Sequence, residues 1–73
     1  MEAYKLRFIN EYHELNNRID KLNALLINYD LGTLDFAPDC PINLLRAQIG
    51  AMLAYLNILK VRAMYESINL EED

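Results

Sequence analysis

From Glu2 to about Tyr29 the apolar residues recur at intervals of three and four: Tyr4, Phe8, Tyr12, Leu15, Ile19, Leu22 and Leu26. That spacing is a heptad seam on a helix, not the alternation of a strand. No Gly or Pro interrupts it, and the opposite face carries Glu11, Glu14, Arg18 and Lys21. Glu14 and Arg18 form an i, i+4 pair worth roughly 0.2–0.5 kcal/mol. The run Asp30-Leu31-Gly32-Thr33 ends the helix, with Gly32 as the left-handed cap residue. A connection over about 30–40 follows, in which Leu34 and Phe36 are expected to fold back over the end of the helix pair. Asp39-Cys40-Pro41 then reads as a start signal, a capping side chain with proline in the first turn.

The second helix is predicted over about 41–68. One stripe, Leu45, Ile49, Met52, Leu56, Leu59 and Ala63, has heptad spacing and can pair with the first seam. A second stripe holds Leu44, Ala51, Tyr55 and Ile58 and ends on Arg62; a third holds Leu53, Val61, Met64 and Ile68. A helix that is apolar nearly all round is buried nearly all round. One partner helix covers one stripe, so the surplus stripes predict contacts with other copies. Gly50, isolated in mid-helix, is expected to mark a close helix–helix approach.

Two helices of similar length joined by a short connection make an antiparallel hairpin the natural solution. The fold class is therefore all-α: a two-helix antiparallel hairpin, one domain over 1–73, assembling into a symmetric helical homo-oligomer. The size of the chain strengthens the second half of that expectation. A domain of 73 residues buries only about 60% of its unfolded surface and needs a staple. Cys40 is the one cysteine, so no internal disulfide forms, and self-association is left. The residues Asn69 to Asp73 are expected to fray.

Charge narrows the partners. Seven Lys and Arg against eleven Asp and Glu give a formal charge of −4, with Glu66, Glu71, Glu72 and Asp73 crowding the C-terminus. This balance argues against non-specific binding to DNA or to an anionic membrane, and leaves room for a small anion gripped by a few local cations. The N-terminus is amphipathic and acidic within two residues, unlike a secretory signal, and the charge-free stretch between Arg46 and Lys60 falls short of the roughly 20 residues a span needs. A cytoplasmic protein is expected.

The catalytic inventory is thin. No nucleophile triad, paired-carboxylate cleft, metal-spaced His/Cys cluster or Gly-rich phosphate loop is present, so no catalytic residue, metal ligand or cofactor is assigned. His13 sits among exposed acids and reads as solvated; Cys40 reads as a packing residue. What remains is tyrosine and arginine at the helix ends. Tyr4 and Arg7 lie near the start of the first helix, and Tyr55 and Arg62 lie two turns apart on the second. In an antiparallel hairpin Tyr4 and Arg7 approach Arg62 and Tyr65. Rings beside guanidinium groups stack on bases and grip phosphates. The plainer alternative makes the tyrosines core-edge residues and pairs the arginines with Glu11 or Glu66. Arg18 and Lys21 sit on the polar face of the first helix, with acids nearby.

Tyr4-x-x-Arg7, Glu11, Leu15, Arg18 and Leu22, followed by Leu44-Leu45, Gln48, Met52, Tyr55, Ile58-Leu59 and Arg62, resemble a family of short phage hairpin proteins found in crAss-like and other tailed phages. That family is similar to the hairpin domain shared by anti-CBASS and anti-Thoeris proteins. The resemblance covers about residues 3–63. It implies a non-catalytic sponge in the host bacterial cytoplasm, a symmetric homo-oligomer (hexamers among them) that binds cyclic di- or trinucleotides between protomers. Carried over residue by residue, Tyr4 becomes a stacking ring and Arg7 a phosphate clamp. Arg62, Tyr55 and Gln48 supply contacts from the second helix, and Glu11 orients an arginine. The chain departs from the better-known sponges in lacking their N-terminal lead-in and in its Pro-containing connection. The competing expectation is a helical protein–protein interaction module that docks a partner on its apolar stripe.

Overall fold

The computed structural model describes residues 2–71 and consists of α1 (Ala3–Leu31) and α2 (Ile42–Tyr65). At 1.5 Å per residue α1 alone spans about 44 Å, which matches the long axis of the 44 × 20 × 18 Å molecule. The helices run antiparallel. Arg46, early in α2, donates to Asp30 near the end of α1 at 2.6 Å, while Arg62, late in α2, lies 4.8 Å from the ring of Phe8 near the start of α1. No strand is present among the described residues.

Both helices end in the same backbone device. At the end of α1, Gly32 takes the left-handed conformation (φ 73°), and the Thr33 N–H returns to the Asn28 carbonyl at 2.9 Å. This satisfies a carbonyl that the last turn leaves without a partner. The Thr33 hydroxyl adds a bond to the Asn28 side-chain oxygen at 3.1 Å. At the end of α2 the left-handed residue is Ser67 (φ 55°), and the Ile68 N–H returns to the Ala63 carbonyl at 2.9 Å. Ile68 thereby folds onto Ala63, and both are buried.

That second turn corrects the boundary expected at about residue 68. The helix stops at Tyr65, and Ile68 reaches the core from a turn instead of from a helical stripe. The fraying expected from Asn69 onward is also corrected in part: Leu70 packs against the core, and the Asn69 side-chain oxygen accepts the Glu71 N–H at 3.0 Å. Glu72 and Asp73 lie outside the described residues. At the other end of α2 the start signal works differently from expectation. Pro41 itself is the cap (φ −57°, ψ 140°), its carbonyl accepts from Leu44 and Leu45, and Asp39 makes no capping bond. Proline lacks one of the N–H donors that a first turn leaves without a partner, and those of Ile42 and Asn43 receive no capping side chain.

The core is the meeting of the two expected seams. Phe8, Leu15 and Ile19 from α1 pack with Leu56, Leu59 and Ala63 from α2, with Tyr12, Ile49 and Met52 half-buried at the margin, while Leu26 is buried nearer the turn. Leu59, at 0% exposure, is the single completely enclosed large side chain among them. Ile9 is an addition that the seam omitted: at 3% exposure it is more buried than Phe8, because the C-terminal turn with Ile68 and Leu70 widens the core at that end. Phe36, expected to cover the turn end, is exposed, and Leu34 alone of that pair is half-buried.

The rest of α2 is bare. Leu44, Ala47, Ala51, Ala54, Ile58, Val61 and Tyr65 recur at strict alternation of three and four and are all exposed. They form a second heptad seam roughly opposite the first. Leu53 and Met64 are exposed beside it. Gly50 corrects its expectation: a side chain there would meet nothing within 4 Å, so it marks no close approach to α1. Two magnitudes express this openness. The accessible surface is 5379 Å² against about 4,700 Å² for a compact monomer of this mass. The radius of gyration is 15.1 Å against about 11 Å for a globular chain of this length.

By length and composition α2, with a mean hydropathy of 1.3 over its most apolar window, is also long and apolar enough to cross a membrane. Arg46, Lys60 and Arg62 punctuate the helix, so this apolar character does not take the form of a charge-free run. α1 exposes Arg7, Glu11, Glu14, Arg18, Asp20 and Lys21 along its length, and each charge at the bilayer centre costs about 2.5 kcal/mol or more.

Candidate functional site

Helical spacing places the site residues before any contact is considered. Gln48, Tyr55 and Arg62 are seven apart and form one row along α2. On α1, Tyr4, Glu11, Arg18 and Leu25 form one row, and Arg7, Glu14 and Lys21 form the row beside it. The two helices meet along their inner seams, and these rows flank that contact. A groove of about 340 Å³ is walled by Arg18, Lys21, Leu22 and Leu25 of α1 and by Leu45, Gln48 and Met52 of α2. Gln48 therefore faces Arg18 and Lys21. Tyr55 and Arg62 continue its row toward the open end, where Tyr4 and Arg7 lie on the same side of α1. All five expected residues share one side of the hairpin, but a single chain does not gather them. Gln48 and Arg62 stand about 21 Å apart along the helix axis.

At the open end Arg62 is held from two directions. Its guanidinium carbon lies 4.8 Å from the centre of the Phe8 ring, and its Nε donates to Glu66 at 3.0 Å. The stack on Phe8 flattens the guanidinium against an apolar surface, an arrangement worth about 0.5–1 kcal/mol. Arg62 is still 48% exposed, so one face remains open. Tyr4, one turn before Phe8, is 42% exposed, and Arg7 is exposed with no ion-pair partner among the described residues. Tyr65, expected to join this group, is 86% exposed and belongs to the outer seam of α2.

The acids also sort themselves. Glu66 holds Arg62 and Asp30 holds Arg46, whereas Glu14 reaches Arg18 only at 3.9 Å, with both side chains about 70% exposed. Glu11, expected to orient an arginine, pairs with none among the described residues, although Arg7 lies one turn before it on α1. The groove thus holds one cation, Lys21, without an acid partner among the described residues and one, Arg18, that is loosely held. Solvent screening makes so exposed a pair easy to exchange.

Elsewhere the chemistry is sparse. His13 is exposed and meets Tyr12 edge-on at 5.4 Å between ring centres. Cys40, read as a packing residue, is instead exposed, since the chain enters α2 through Pro41 without burying the preceding turn. Among the described residues no His, Cys, Asp and Glu side chains gather as a metal set. What the arrangement can do is bind: cations, an amide and an apolar floor occupy one side of the molecule, next to a helix face with no cover.

Comparison with protein families adds the decisive observation, a match to Sequestin over residues 2–65. The chain belongs to the Sequestin family. No curated protein and no solved structure matches it. The Sequestin match takes in both helices and the connection, and so both walls of the groove and the whole outer seam. The family name fits a protein that sequesters a ligand, and the paired rows are where this Sequestin chain has the charge to hold one.

Arg18 and Lys21 were not singled out by the sequence, where they read as a solvated face. The signal was present: Arg18 lies two heptads from Tyr4, and Lys21 two heptads from Arg7. What a single helix cannot reveal is the apolar floor brought from across the hairpin.

Proposed function

We propose that this Sequestin chain is a non-catalytic phage anti-defence sponge, sequestering cyclic di- or trinucleotide immune signals between copies of the hairpin. One observation carries the reading. The row Gln48, Tyr55 and Arg62 borders the uncovered seam Leu44, Ala51, Ile58 and Tyr65, each row residue lying three or four positions from two seam residues. A second copy seated on the seam brings the cations and rings of two chains together. Symmetric copies then present symmetric contacts to a cyclic ligand. A net charge of −4 does not oppose this, because local convergence of Arg7, Arg62 and their counterparts outweighs a screened distant field.

A second copy is the cover that the seam fits best. Burying a half-exposed Leu, Ile or Val contributes about 1 kcal/mol, and Leu44, Leu53, Ile58 and Val61 are each 42–58% exposed. Ala47, Gly50, Ala51 and Ala54 at its centre permit close backbone approach. A bilayer is the poorer cover, because α1 would carry its charges in with α2.

Calorimetry against cyclic di- and trinucleotides with linear controls, on protein whose mass is known from sedimentation, tests the reading. Binding of a cyclic ligand by an oligomer is expected, with a hexamer as the first size to examine. Arg7→Ala and Arg62→Ala should each weaken binding by about 1.5–3 kcal/mol, or roughly ten- to a hundredfold, without changing the mass. Tyr4→Ala should weaken it by about 1–3 kcal/mol through lost stacking. Ligand released by heat should be intact by mass spectrometry; a linearised product rejects the sponge in favour of an enzyme. If no cyclic nucleotide binds, the uncovered seam favours the second reading, a helical module that docks a protein partner. Flotation with lipid vesicles would reverse the choice of cover.

A further inference from the structure

The groove near the turn has a composition that the open end lacks. Two cations stand on its α1 rim, Arg18 and Lys21, and a neutral amide, Gln48, faces them from α2. Its floor is aliphatic: Leu22, Leu25, Leu45 and Met52. Leu22, Leu45 and Met52 belong to the inner seams, but that packing does not account for the two cations and the amide gathered above them. Cationic rims over an apolar floor suit a ligand that is anionic at one edge and flat and apolar across its body. An amide can donate and accept at once, which suits the hydrogen-bonding edge of a base. Arg18 is tethered only by the 3.9 Å approach of Glu14, and Lys21 has no acid partner among the described residues.

We propose that this groove is a nucleotide seat: Arg18 and Lys21 hold a phosphate, the base lies on Leu25 and Met52, and Gln48 reads its edge. The inference rests on the sequestering reading and adds to its phosphate grip at the open end a second one in the turn half. Size adds a second step. About 340 Å³ lies at the bottom of the roughly 300–1,000 Å³ range of small-molecule sites, enough for one nucleotide unit. A cyclic dinucleotide therefore occupies two grooves, one from each of two copies related by a twofold axis. Gln48 borders Leu44 and Ala51 of the outer seam, so assembly on that seam sets two grooves side by side.

Calorimetry with cyclic di-AMP, cyclic di-GMP, the linear dinucleotides, AMP and GMP tests the seat. It compares the unmodified protein with Arg18→Ala, Lys21→Ala, Gln48→Ala and the distant control Lys60→Ala. Arg18→Ala and Lys21→Ala should each weaken the best ligand about ten- to a hundredfold. Gln48→Ala should alter the preference between adenine and guanine ligands, and Lys60→Ala should leave binding unchanged. Sedimentation of each variant guards against loss of assembly, and Arg18→Lys should restore most of the affinity. A stoichiometry of about one cyclic dinucleotide per two chains is expected. If a cyclic ligand binds and both alanine variants match the unmodified protein, the groove proposal is overturned and the sponge stands on the open end. If mononucleotides bind in an Arg18- and Lys21-dependent way and cyclic ligands do not, the seat stands and the cyclic-ligand sponge falls. Failure of every nucleotide to bind overturns the seat, and failure of cyclic trinucleotides as well overturns the sponge.

Discussion

Leu59 and Ile58 are neighbours in the chain and opposites in environment. Leu59 is sealed beneath α1 at 0% exposure, and Ile58 stands 54% exposed on the far side of the same helix. Each belongs to a heptad seam of α2, and the two seams are indistinguishable in spacing. Their residues differ in kind. The inner seam carries Leu45, Ile49, Met52, Leu56 and Leu59 in succession, all bulky, while the outer seam runs Leu44, Ala47, Ala51 and Ala54 before Ile58. Bulky residues fill the space between two helices of one hairpin. A small-residue centre leaves room for another backbone to come close. Periodicity reveals that a face wants cover; residue size indicates what kind of cover it fits.

The sharpest way to break that comparison is to truncate both neighbours. Leu59→Ala should lower unfolding stability by about 2–5 kcal/mol, since it opens a cavity in a sealed site. Ile58→Ala should leave the hairpin intact and reduce the oligomer mass at a given concentration. Denaturation at several protein concentrations, read beside sedimentation, separates the two. Equal losses from both would mean that the seams are not different in kind. Next comes Gly50→Glu. A carboxylate placed in a closed contact between copies costs about 3 kcal/mol or more, so the assembly should fall to the 8.5 kDa chain with helical circular dichroism retained. Unchanged mass would show that the outer seam faces water.

Smaller effects test the ends of the hairpin, where the inner seam is closed off. Ser67 holds a left-handed conformation that costs a non-glycine residue about 1–2 kcal/mol. Ser67→Gly should therefore raise stability by about 0.5–1 kcal/mol once the added freedom of the unfolded glycine is subtracted. A lower melting temperature would argue that the turn does not hold Ile68 in the core. The smallest change is expected from Asp30→Asn, which removes the charge opposite Arg46. Both side chains are about half exposed, and such pairs are worth about 0.2–1 kcal/mol, less at high salt. A loss that persists unchanged in molar salt would contradict that assignment.

These particulars also show how far the residues alone could be read. The inner seam and the Gly32 cap were legible because each rests on local rules: a period of three and four, and a glycine where φ is positive. Ile68 was misplaced because the turn that buries it uses Ser67, a residue with no strong left-handed signal. Ile9 was missed for the same reason, since its cover arrives from that turn. The candidate residues Tyr4, Arg7, Gln48, Tyr55 and Arg62 were legible as one side of the hairpin, because helical spacing alone puts them there. The groove was not legible as a pocket. Arg18 and Lys21 read as solvated until Leu45, Gln48 and Met52 were set opposite them, and that juxtaposition depends on the register between helices.

The connection 32–41 has a consequence in time. It is the one link between helices that otherwise close by local contacts, and closing a loop of about ten residues takes roughly 10–100 ns. Helical folds built from such contacts form in microseconds to milliseconds. The two helices should therefore meet while each chain is still alone, with the outer seam of α2 displayed before the association that stabilises the hairpin. Association of copies is bimolecular and takes milliseconds to minutes according to concentration. Newly made chains pass through an interval in which their helices have met but they are still apolar on one side and unassembled. Its length is set by how many copies the cell makes at once.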